Sequence, residues 1–168
     1  MCGITGYLYL NGAPERAGEG LRDSVASLNH RGPDDRGVWQ ADGVGFGHTR
    51  LAILDLSPLG HQPMLSPDGD WVMVFNGEIY NFREIRADLE SLGRRFAGTG
   101  DSEVILAAFS QWGPDAVKRF VGMFAIALWH RPSRTLHLLR DRLGVKPLYY
   151  AWDGKRLFFG SELKAIRA

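Results

Sequence analysis

The length, composition and charge of the chain indicate one domain and exclude several classes of protein. At 168 residues, the chain can bury roughly two-thirds of its unfolded surface without disulfides or a structural metal. Its 20 Lys and Arg against 19 Asp and Glu leave a formal charge of +1, which does not indicate a surface for nucleic acid or anionic membrane. The single cysteine can close no intramolecular disulfide and has no metal-ligand cluster beside it, so we expect a cytoplasmic protein without a metal site.

The N-terminus and the apolar content predict neither export nor a membrane anchor. The chain does not begin with a basic region and an apolar stretch, and no window approaches roughly eighteen apolar residues. Cys2 stands where N-myristoylation needs glycine. The 21 glycines and 8 prolines are spread along the sequence, which predicts that residues 1–168 form a single domain without linkers or repeats.

The hydrophobic pattern predicts more strands than helices. In chain order, the predicted elements are a strand at 4–10, a helix carrying Leu21, Val25 and Leu28, a strand at 44–56, a strand at 71–75, a helix after Asn81, a helix at 102–112, strands at 123–129, 135–140 and 148–152, a hairpin at 153–154 that leads into a strand at 156–159, and a short helix at 162–167. Asn81 with Glu84 three residues later resembles a capping box. Runs of strands with few βαβ units predict an α+β domain in which antiparallel sheets pack face to face, with helices outside.

Cys2 is the candidate nucleophile because of its position. Removal of Met1, which is sterically plausible before a small residue, would place a thiol and a free α-amine on one residue, and such an amine can act as the base. The two groups ordinarily titrate within about one pH unit of each other, so proton exchange costs little. The alternative is that Cys2 is a small buried residue at the start of a strand. Gly3 and Gly6 slightly favour the nucleophile, because glycine lets backbone or ligand approach the thiol.

Asn76-Gly77, which follows the predicted strand at 71–75, is a candidate oxyanion site. The pair is typical of a hairpin, but residues 78–81 lead into a predicted helix and not into a second strand. We expect the strand to end at an irregular corner, where the Asn76 side-chain amide and a backbone N–H point at one oxygen. A simple turn is the alternative.

The charged residues Arg50 and Asp101 could bind the two ends of an amino acid. Arg50 lies in an otherwise apolar predicted strand, so its guanidinium needs an anionic partner. That partner is either an internal carboxylate such as Asp34 or Asp55, or the carboxylate of a ligand. Asp101 is either a helix cap or the partner of a substrate ammonium, and Glu78 is a further candidate for the same ammonium.

The candidate residues belong to longer motifs that cover nearly the whole chain in order. Four of them are Met1-Cys2-Gly3-Ile4, His30-Arg31-Gly32-Pro33-Asp34, the segment 48–55 and the segment 75–81. These motifs resemble the class II glutamine amidotransferase domain. Three more motifs, at 60–64 (Gly-His-Gln-Pro-Met), 140–150 and 161–166, resemble its asparagine synthetase branch.

The resemblance implies an N-terminal nucleophile hydrolase fold, which is a four-layer α/β/β/α sandwich of two antiparallel sheets. It also implies that Cys2 is the nucleophile, that Asn76 and the Gly77 amide form the oxyanion hole, and that Arg50 binds the α-carboxylate of glutamine. The other implied substrate-binding residues are Asp101 and Glu78 at the α-amine and the backbone of Leu51, Ala52, Ile53 and Leu54. Glutamine is then expected to become glutamate and ammonia through a thioester at Cys2, without a metal or cofactor in this chain.

The chain departs from the family in lacking a synthetase half. Asparagine synthetases carry a C-terminal ATP-pyrophosphatase domain with a Ser-Gly-Gly-x-Asp-Ser loop, which does not occur in residues 1–168. We therefore expect the chain to be the N-terminal part of a longer synthetase, or to work with a separate synthetase subunit. Ammonia would pass to that synthetase, which amidates aspartate to asparagine and would alone need ATP and Mg²⁺. The resemblance also allows a homodimer.

Three other functions stay open at this point. Another amidotransferase of the same class would deliver ammonia to a sugar phosphate, to phosphoribosyl pyrophosphate, to a peptide or to an exopolysaccharide. A non-catalytic regulatory module would bind glutamine without hydrolysing it. A hydrolase of other amides would leave Arg50 without a substrate carboxylate to bind.

Overall fold

Two antiparallel sheets make up the centre of the protein, seen in a computed structural model that describes residues 1–53 and 55–168. The strands are Gly3–Tyr9 (β1), Asp35–Ala41 (β2), Val44–Arg50 (β3), Met64–Leu65 (β4), Trp71–Ile79 (β5), Gly122–His130 (β6), Thr135–Arg140 (β7), Tyr149–Trp152 (β8) and Arg156–Gly160 (β9). The first sheet has the order β2-β3-β1-β9-β8 and the second the order β4-β5-β6-β7. The antiparallel pairing of β8 with β9 confirms the predicted hairpin at 153–154.

Helices cover the outer faces of both sheets. They are Ala17–Ser27 (α1), Phe82–Ser91 (α2), Asp101–Trp112 (α3) and Leu163–Arg167 (α4), with short 3₁₀ segments at Pro58–Gly60 and Gly113–Arg119. Leu21 and Val25 of α1 are buried, and α1 and α4 pack on the first sheet. Ile85, Leu89 and Phe109 of α2 and α3 pack on the second sheet in one apolar cluster.

A second apolar cluster fills the layer between the sheets. Its buried side chains are Ile4, Val44, Phe46 and Phe159 from the first sheet and Val72, Val74, Ala125, Ala127 and Trp129 from the second. Because side chains alternate between the two faces of a strand, each sheet contributes one set of residues to this layer and the other set to its helices. The resulting order of helix, sheet, sheet and helix confirms the predicted four-layer α+β sandwich.

The same alternation directs three candidate site residues into the layer between the sheets. Cys2 lies two residues before Ile4, and Asn76 lies two residues after Val74, so each shares the inward face of its strand. Arg50 is in phase with Phe46 on β3. Three side chains that are distant in sequence therefore reach the same end of the sandwich.

Two predicted strand ends are wrong. The strand predicted at 44–56 ends at Arg50, because its neighbours end there: β2 begins with Asp35 opposite Arg50, and β1 begins with Gly3 opposite Thr49. The strand predicted to end at residue 75 continues to Ile79, paired with β6 throughout. Asn76-Gly77 is therefore neither a turn nor an irregular corner.

Two further differences concern local structure. Asn81 precedes α2 but makes no side-chain capping bond; its Oδ1 accepts from the Val121 N–H at 2.9 Å and its Nδ2 donates to the Arg119 carbonyl at 3.0 Å. The predicted capping box is therefore wrong, since this side chain is engaged by the segment before β6. The strand β2 has no counterpart among the predicted elements, because it is an edge strand without a fully buried residue.

Candidate functional site

A cleft at one end of the layer between the sheets brings the predicted site residues together. It has a volume of about 130 Å³. Its lining includes Cys2, Arg50, Leu51, Ala52, Ile53, Asn76, Gly77, Glu78 and Asp101. These are all the predicted site residues except Leu54, which lies outside the described residues. The cleft therefore gathers groups from β3, β5, α3 and the N-terminus.

Cys2 presents its thiol to the cleft and not to the sealed core. The side chain is half-buried, and its Sγ accepts from the Leu51 N–H at 3.4 Å and lies 3.7 Å from the Leu51 carbonyl oxygen. The Arg31 Nε donates to the Cys2 carbonyl at 3.0 Å. Gly3 serves packing, because a Cβ there would lie 2.6 Å from the Thr49 Oγ1. The thiol is held at the cleft by β3 and by Arg31.

The pairing of β5 with β6 turns the Gly77 N–H towards the cleft edge. Gly77 lies opposite Phe124, and both backbone groups of Phe124 point the other way: its carbonyl accepts from the Asp141 N–H at 2.8 Å and its N–H donates to Asp141 Oδ2 at 3.2 Å. The pair is thus a non-hydrogen-bonded one, in which both residues direct their N–H groups away from each other. Phe75 and Ile79, on the same side of β5, donate their N–H groups to the side chains of Gln62 and Asp101.

Asn76 places a side-chain donor beside the Gly77 N–H. The residue is 1% exposed, and its Nδ2 has no hydrogen-bond partner within 1–53 and 55–168. Buried donors are nearly always paired in folded proteins, so an unpaired one at the wall of a cleft indicates a ligand acceptor. The backbone N–H of Gly77 and the amide of Asn76 can converge on one oxygen.

Arg50 is buried and makes no ion pair with an internal carboxylate in the part of the chain that the structure describes. Its Nη1 donates to the Ser57 carbonyl at 2.9 Å and its Nη2 to the Asp55 carbonyl. The carboxylates of Asp34 and Asp55 accept instead from the N–H groups of other residues. Backbone carbonyls orient this guanidinium but leave its positive charge available for a ligand anion at the cleft.

Asp101 is the first residue of α3, and the N-cap is Gly100. The predicted alternative of a capping residue is therefore wrong. Its Oδ2 accepts from the Ile79 N–H at 3.0 Å, which ties α3 to the end of β5. Burial raises the pKa of Asp101 to about 6, and the neighbouring Glu78 carboxylate adds to the rise while backbone hydrogen bonds oppose it. A ligand ammonium would favour the ionised form of Asp101.

The cleft also holds residues that were not among the predicted site residues. Lys146 is 7% exposed, and its Nζ lies 3.6 Å from the Met1 Sδ; its own N–H donates to Asp141 Oδ2 at 3.0 Å. Met1 and Gln62 line the same cleft. A lysine inside the apolar stretch Leu143 to Leu148 is the one signal that could have drawn attention to Lys146 in advance.

Neither a metal-binding cluster nor a membrane-spanning helix occurs among the described residues. Within 1–53 and 55–168, no three His, Cys, Asp or Glu side chains are grouped so as to hold a metal ion. In the same part of the chain, no helix is both long and apolar enough to cross a membrane.

Comparison with known proteins identifies the family. Residues 1–168 match the sequence model of a family described as glutamine amidotransferase domain. An asparagine synthetase (glutamine-hydrolysing) 3 of Bacillus subtilis is 41% identical over 170 residues, covering 100% of this chain and 28% of that protein. A putative asparagine synthetase (glutamine-hydrolysing) 2 of Methanocaldococcus jannaschii is 40% identical over 186 residues, covering 100% of this chain and 35% of the relative.

Solved structures support the fold. The glutamine phosphoribosylpyrophosphate amidotransferase of B. subtilis superposes with a TM-score of 0.78 at 21% identity, covering 99% of this chain and 43% of that one. This likeness confirms the predicted N-terminal nucleophile hydrolase fold, and the sequence matches confirm the predicted glutamine amidotransferase domain. The chain spans about a third or less of the relatives compared by sequence. By sequence and by fold, this chain belongs to the glutamine amidotransferase domain family.

Proposed function

We propose that Cys2, after removal of Met1, hydrolyses glutamine with Asn76 and Gly77 as oxyanion donors. The observation that carries the assignment is a pair of donors in one cleft with the thiol: the Asn76 Nδ2, which has no partner among the described residues, and the Gly77 N–H, which is turned away from β6. Donors that are already oriented before the reaction stabilise the charge that develops on the carbonyl oxygen.

The reaction follows from these groups. The Cys2 Sγ bonds to the side-chain amide carbon of glutamine, and the electrons of the carbonyl double bond move to the oxygen, which Asn76 and Gly77 hold. The C–N bond then breaks, and the α-amine returns to the departing nitrogen the proton that it took from the thiol. Water attacks the γ-glutamyl thioester, and glutamate leaves with a free Cys2 thiol.

Arg50 and Asp101 orient the substrate in this proposal. The guanidinium of Arg50 binds the α-carboxylate, and the carboxylate of Asp101, with Glu78, binds the α-ammonium. Support comes from opposite charges at one cleft and from the absence of an internal ion pair for Arg50 in the described part of the chain. The backbone of Leu51, Ala52 and Ile53 lines the side next to the thiol.

The test of this chemistry is release of glutamate from glutamine, with intact mass to report the loss of Met1. Wild-type protein lacking Met1 is expected to release glutamate, and Cys2→Ala to release none. Asn29→Leu, at an exposed asparagine outside the cleft, is the matched control for Asn76 variants. Retained Met1 together with no glutamate release would favour the non-catalytic binding module.

We further propose that the ammonia goes to a synthetase domain or subunit that converts aspartate to asparagine in the cytoplasm. The names of the relatives support this acceptor, and the single free cysteine supports a reducing compartment. ATP and Mg²⁺ would be needed by that synthetase only, and the homodimer stays a prediction.

The acceptor can be identified with glutamine that carries an isotopic label in its amide nitrogen. The protein, at its natural full length, is given this glutamine with aspartate, ATP and Mg²⁺. Labelled asparagine is the expected product. Labelled free ammonia without asparagine would reject this acceptor while leaving the glutaminase chemistry intact, and sugar phosphate and phosphoribosyl pyrophosphate would then be offered instead.

A further inference from the structure

The edge of β5 that faces the cleft loses its neighbouring strand just before the oxyanion donors. The short strand β4 pairs only Met64 with Met73 and Leu65 with Val72. Beyond Met73, the outward backbone groups of β5 have no strand to bond, and an unpaired buried peptide group is costly. The first such residue is Phe75, directly before Asn76.

Two buried side chains take the place of the missing strand. Gln62 Oε1 accepts from the Phe75 N–H at 2.6 Å, and His48 Nε2 donates to the Phe75 carbonyl at 3.1 Å. Gln62 is 4% exposed and His48 is 1% exposed. Both polar groups of one peptide are thus satisfied by side chains from two different segments.

We propose that His48 and Gln62 are positioning residues that hold the Phe75 peptide, and through it the oxyanion donors of Asn76 and Gly77. The inference rests on the proposed function, because both residues act through the Phe75 peptide on the proposed oxyanion donors; Gln62 also lines the cleft, whereas His48 does not. Gly77 has no side chain to restrain its backbone, so the orientation of its N–H depends on the strand on either side. Phe75 is held by His48 and Gln62 on one side, and Ile79 by Asp101 on the other.

His48 can act only as a donor in this arrangement. The Phe75 carbonyl accepts, so the ring proton is on Nε2, and Nδ1 is a bare nitrogen without a partner among the described residues. Burial lowers the pKa of His48 to about 4, so the imidazole is neutral near pH 7. His48 is not among the residues that line the cleft, which separates it from a general base.

The motif at 60–64 gains a physical explanation from the same contacts. His61 Nδ1 lies 2.7 Å from Asp35 Oδ2, which anchors the segment to β2 on one side of Gln62. Gly37 allows the close approach, because a Cβ there would meet the Gln62 carbonyl. Met64 anchors the other side by pairing with β5. The motif therefore holds the Gln62 side chain where its Oε1 accepts from the Phe75 N–H.

The test separates positioning from folding and from substrate binding. His48→Leu and Gln62→Leu are expected to lower the kcat of glutamine hydrolysis roughly tenfold to a hundredfold, as displaced oxyanion donors do, while KM changes less than about twofold. His48→Gln keeps a donor at a similar position and is expected to recover most of the activity. His137→Leu, on β7 and away from the cleft, controls for the general loss of a half-buried histidine.

A second readout reports the oxyanion site directly. Glutamate γ-semialdehyde is an aldehyde analogue of the substrate. The Cys2 Sγ bonds to its aldehyde carbon while the electrons of the carbonyl double bond move to oxygen. This oxygen needs the same donors, Asn76 and Gly77, as the oxygen of the amide. Inhibition by the aldehyde is expected to weaken by the same factor as kcat, whereas alkylation of the thiol by iodoacetamide stays unchanged. A rise in KM with an unchanged kcat, or unaltered aldehyde inhibition, would overturn the assignment.

Two controls keep the outcome interpretable. Gln62 lies at the border of the cleft, so Gln62→Leu carries the test if His48→Leu does not fold. Wild-type protein that releases no glutamate would reject the proposed function itself. Active wild type with an inactive Asn76 variant, but with normal His48 and Gln62 variants, would reject only the inference drawn from Phe75.

Discussion

Replacing Asn76 with leucine is expected to separate activity from stability. Leucine has a similar size but no amide, so Asn76→Leu removes one oxyanion donor, which costs about 3–4 kcal/mol in the transition state. The kcat of glutamate release should therefore fall roughly a hundredfold to a thousandfold, with KM little changed because Arg50 and Asp101 still bind the substrate. A coupled glutamate assay over a range of glutamine concentrations measures both quantities.

The same substitution should not weaken the fold. The Asn76 Nδ2 is buried without a partner within the described residues, and an unsatisfied buried donor costs about 1–3 kcal/mol. Leucine removes this cost at a position that continues the apolar face of Val74, so the free energy of unfolding in urea is expected to rise by roughly 1 kcal/mol. An Asn76→Leu protein that is less stable than wild type, yet hydrolyses glutamine within tenfold of it, would refute the reasoning.

Three more substitutions test the substrate-binding residues. Arg50→Ala should raise the KM for glutamine roughly tenfold to a hundredfold, because a charge-assisted contact is lost; an unchanged KM would make Arg50 structural. Gly60→Ala should also raise KM, since a Cβ there would meet the Arg50 guanidinium, whereas Gly20→Ala, with no neighbour within 4 Å, should leave KM unchanged. For Asp101, whose pKa burial raises to about 6, the wild-type KM should rise as pH falls through 6, because only the ionised form binds an ammonium. Asp101 keeps its proton up to a higher pH in the folded protein than in the unfolded chain. The free energy of unfolding therefore falls as pH rises towards 6, and the loss is complete above pH 6. Asp101→Asn should therefore have a high KM that does not vary with pH in this range, and a free energy of unfolding that exceeds wild type at pH 7 by more than at pH 4. A KM titration near pH 6 that persists in Asp101→Asn would assign it to another group.

Patterns in the sequence predicted the layers of the fold and the residues of the cleft. They did not predict the backbone conformation at Asn76-Gly77. The phase of the apolar residues in β3 already placed Arg50 on the same face as Phe46, because alternation is a local property of a strand. Position and charge made Cys2 and Asp101 candidates, and the motif likeness assigned their roles, but their convergence depends on tertiary contacts. The cleft gathers Cys2, Arg50 and Asp101.

The wrong predictions lie where a local sequence preference is overruled by pairing with a strand that is distant in sequence. Asn-Gly favours a turn, but Gly77 lies within a strand, because β6 pairs with β5 up to Ile79 and a Cβ at Gly77 would meet the Met123 carbonyl. Gln62 and His48 belong to the motifs at 60–64 and 48–55, but neither residue type indicated a contact with the Phe75 peptide. Their importance depends on β4 beginning only at Met64, and the length of a neighbouring strand is not encoded in either residue.

The pairing of β5 with β6 makes the direction of each backbone N–H in β5 alternate along the strand. Phe75, Gly77 and Ile79 direct theirs away from β6, and the residues between them do not. If one residue were inserted or deleted between Trp71 and Gly77, the Gly77 N–H would point towards β6. The side chains of the shifted residues would move to the other face of the sheet. A change of two residues would restore the direction. Length variation in this strand pair among functional relatives should therefore occur in pairs of residues, or be absorbed in the connection between Ile79 and Gly122, which carries α2 and α3.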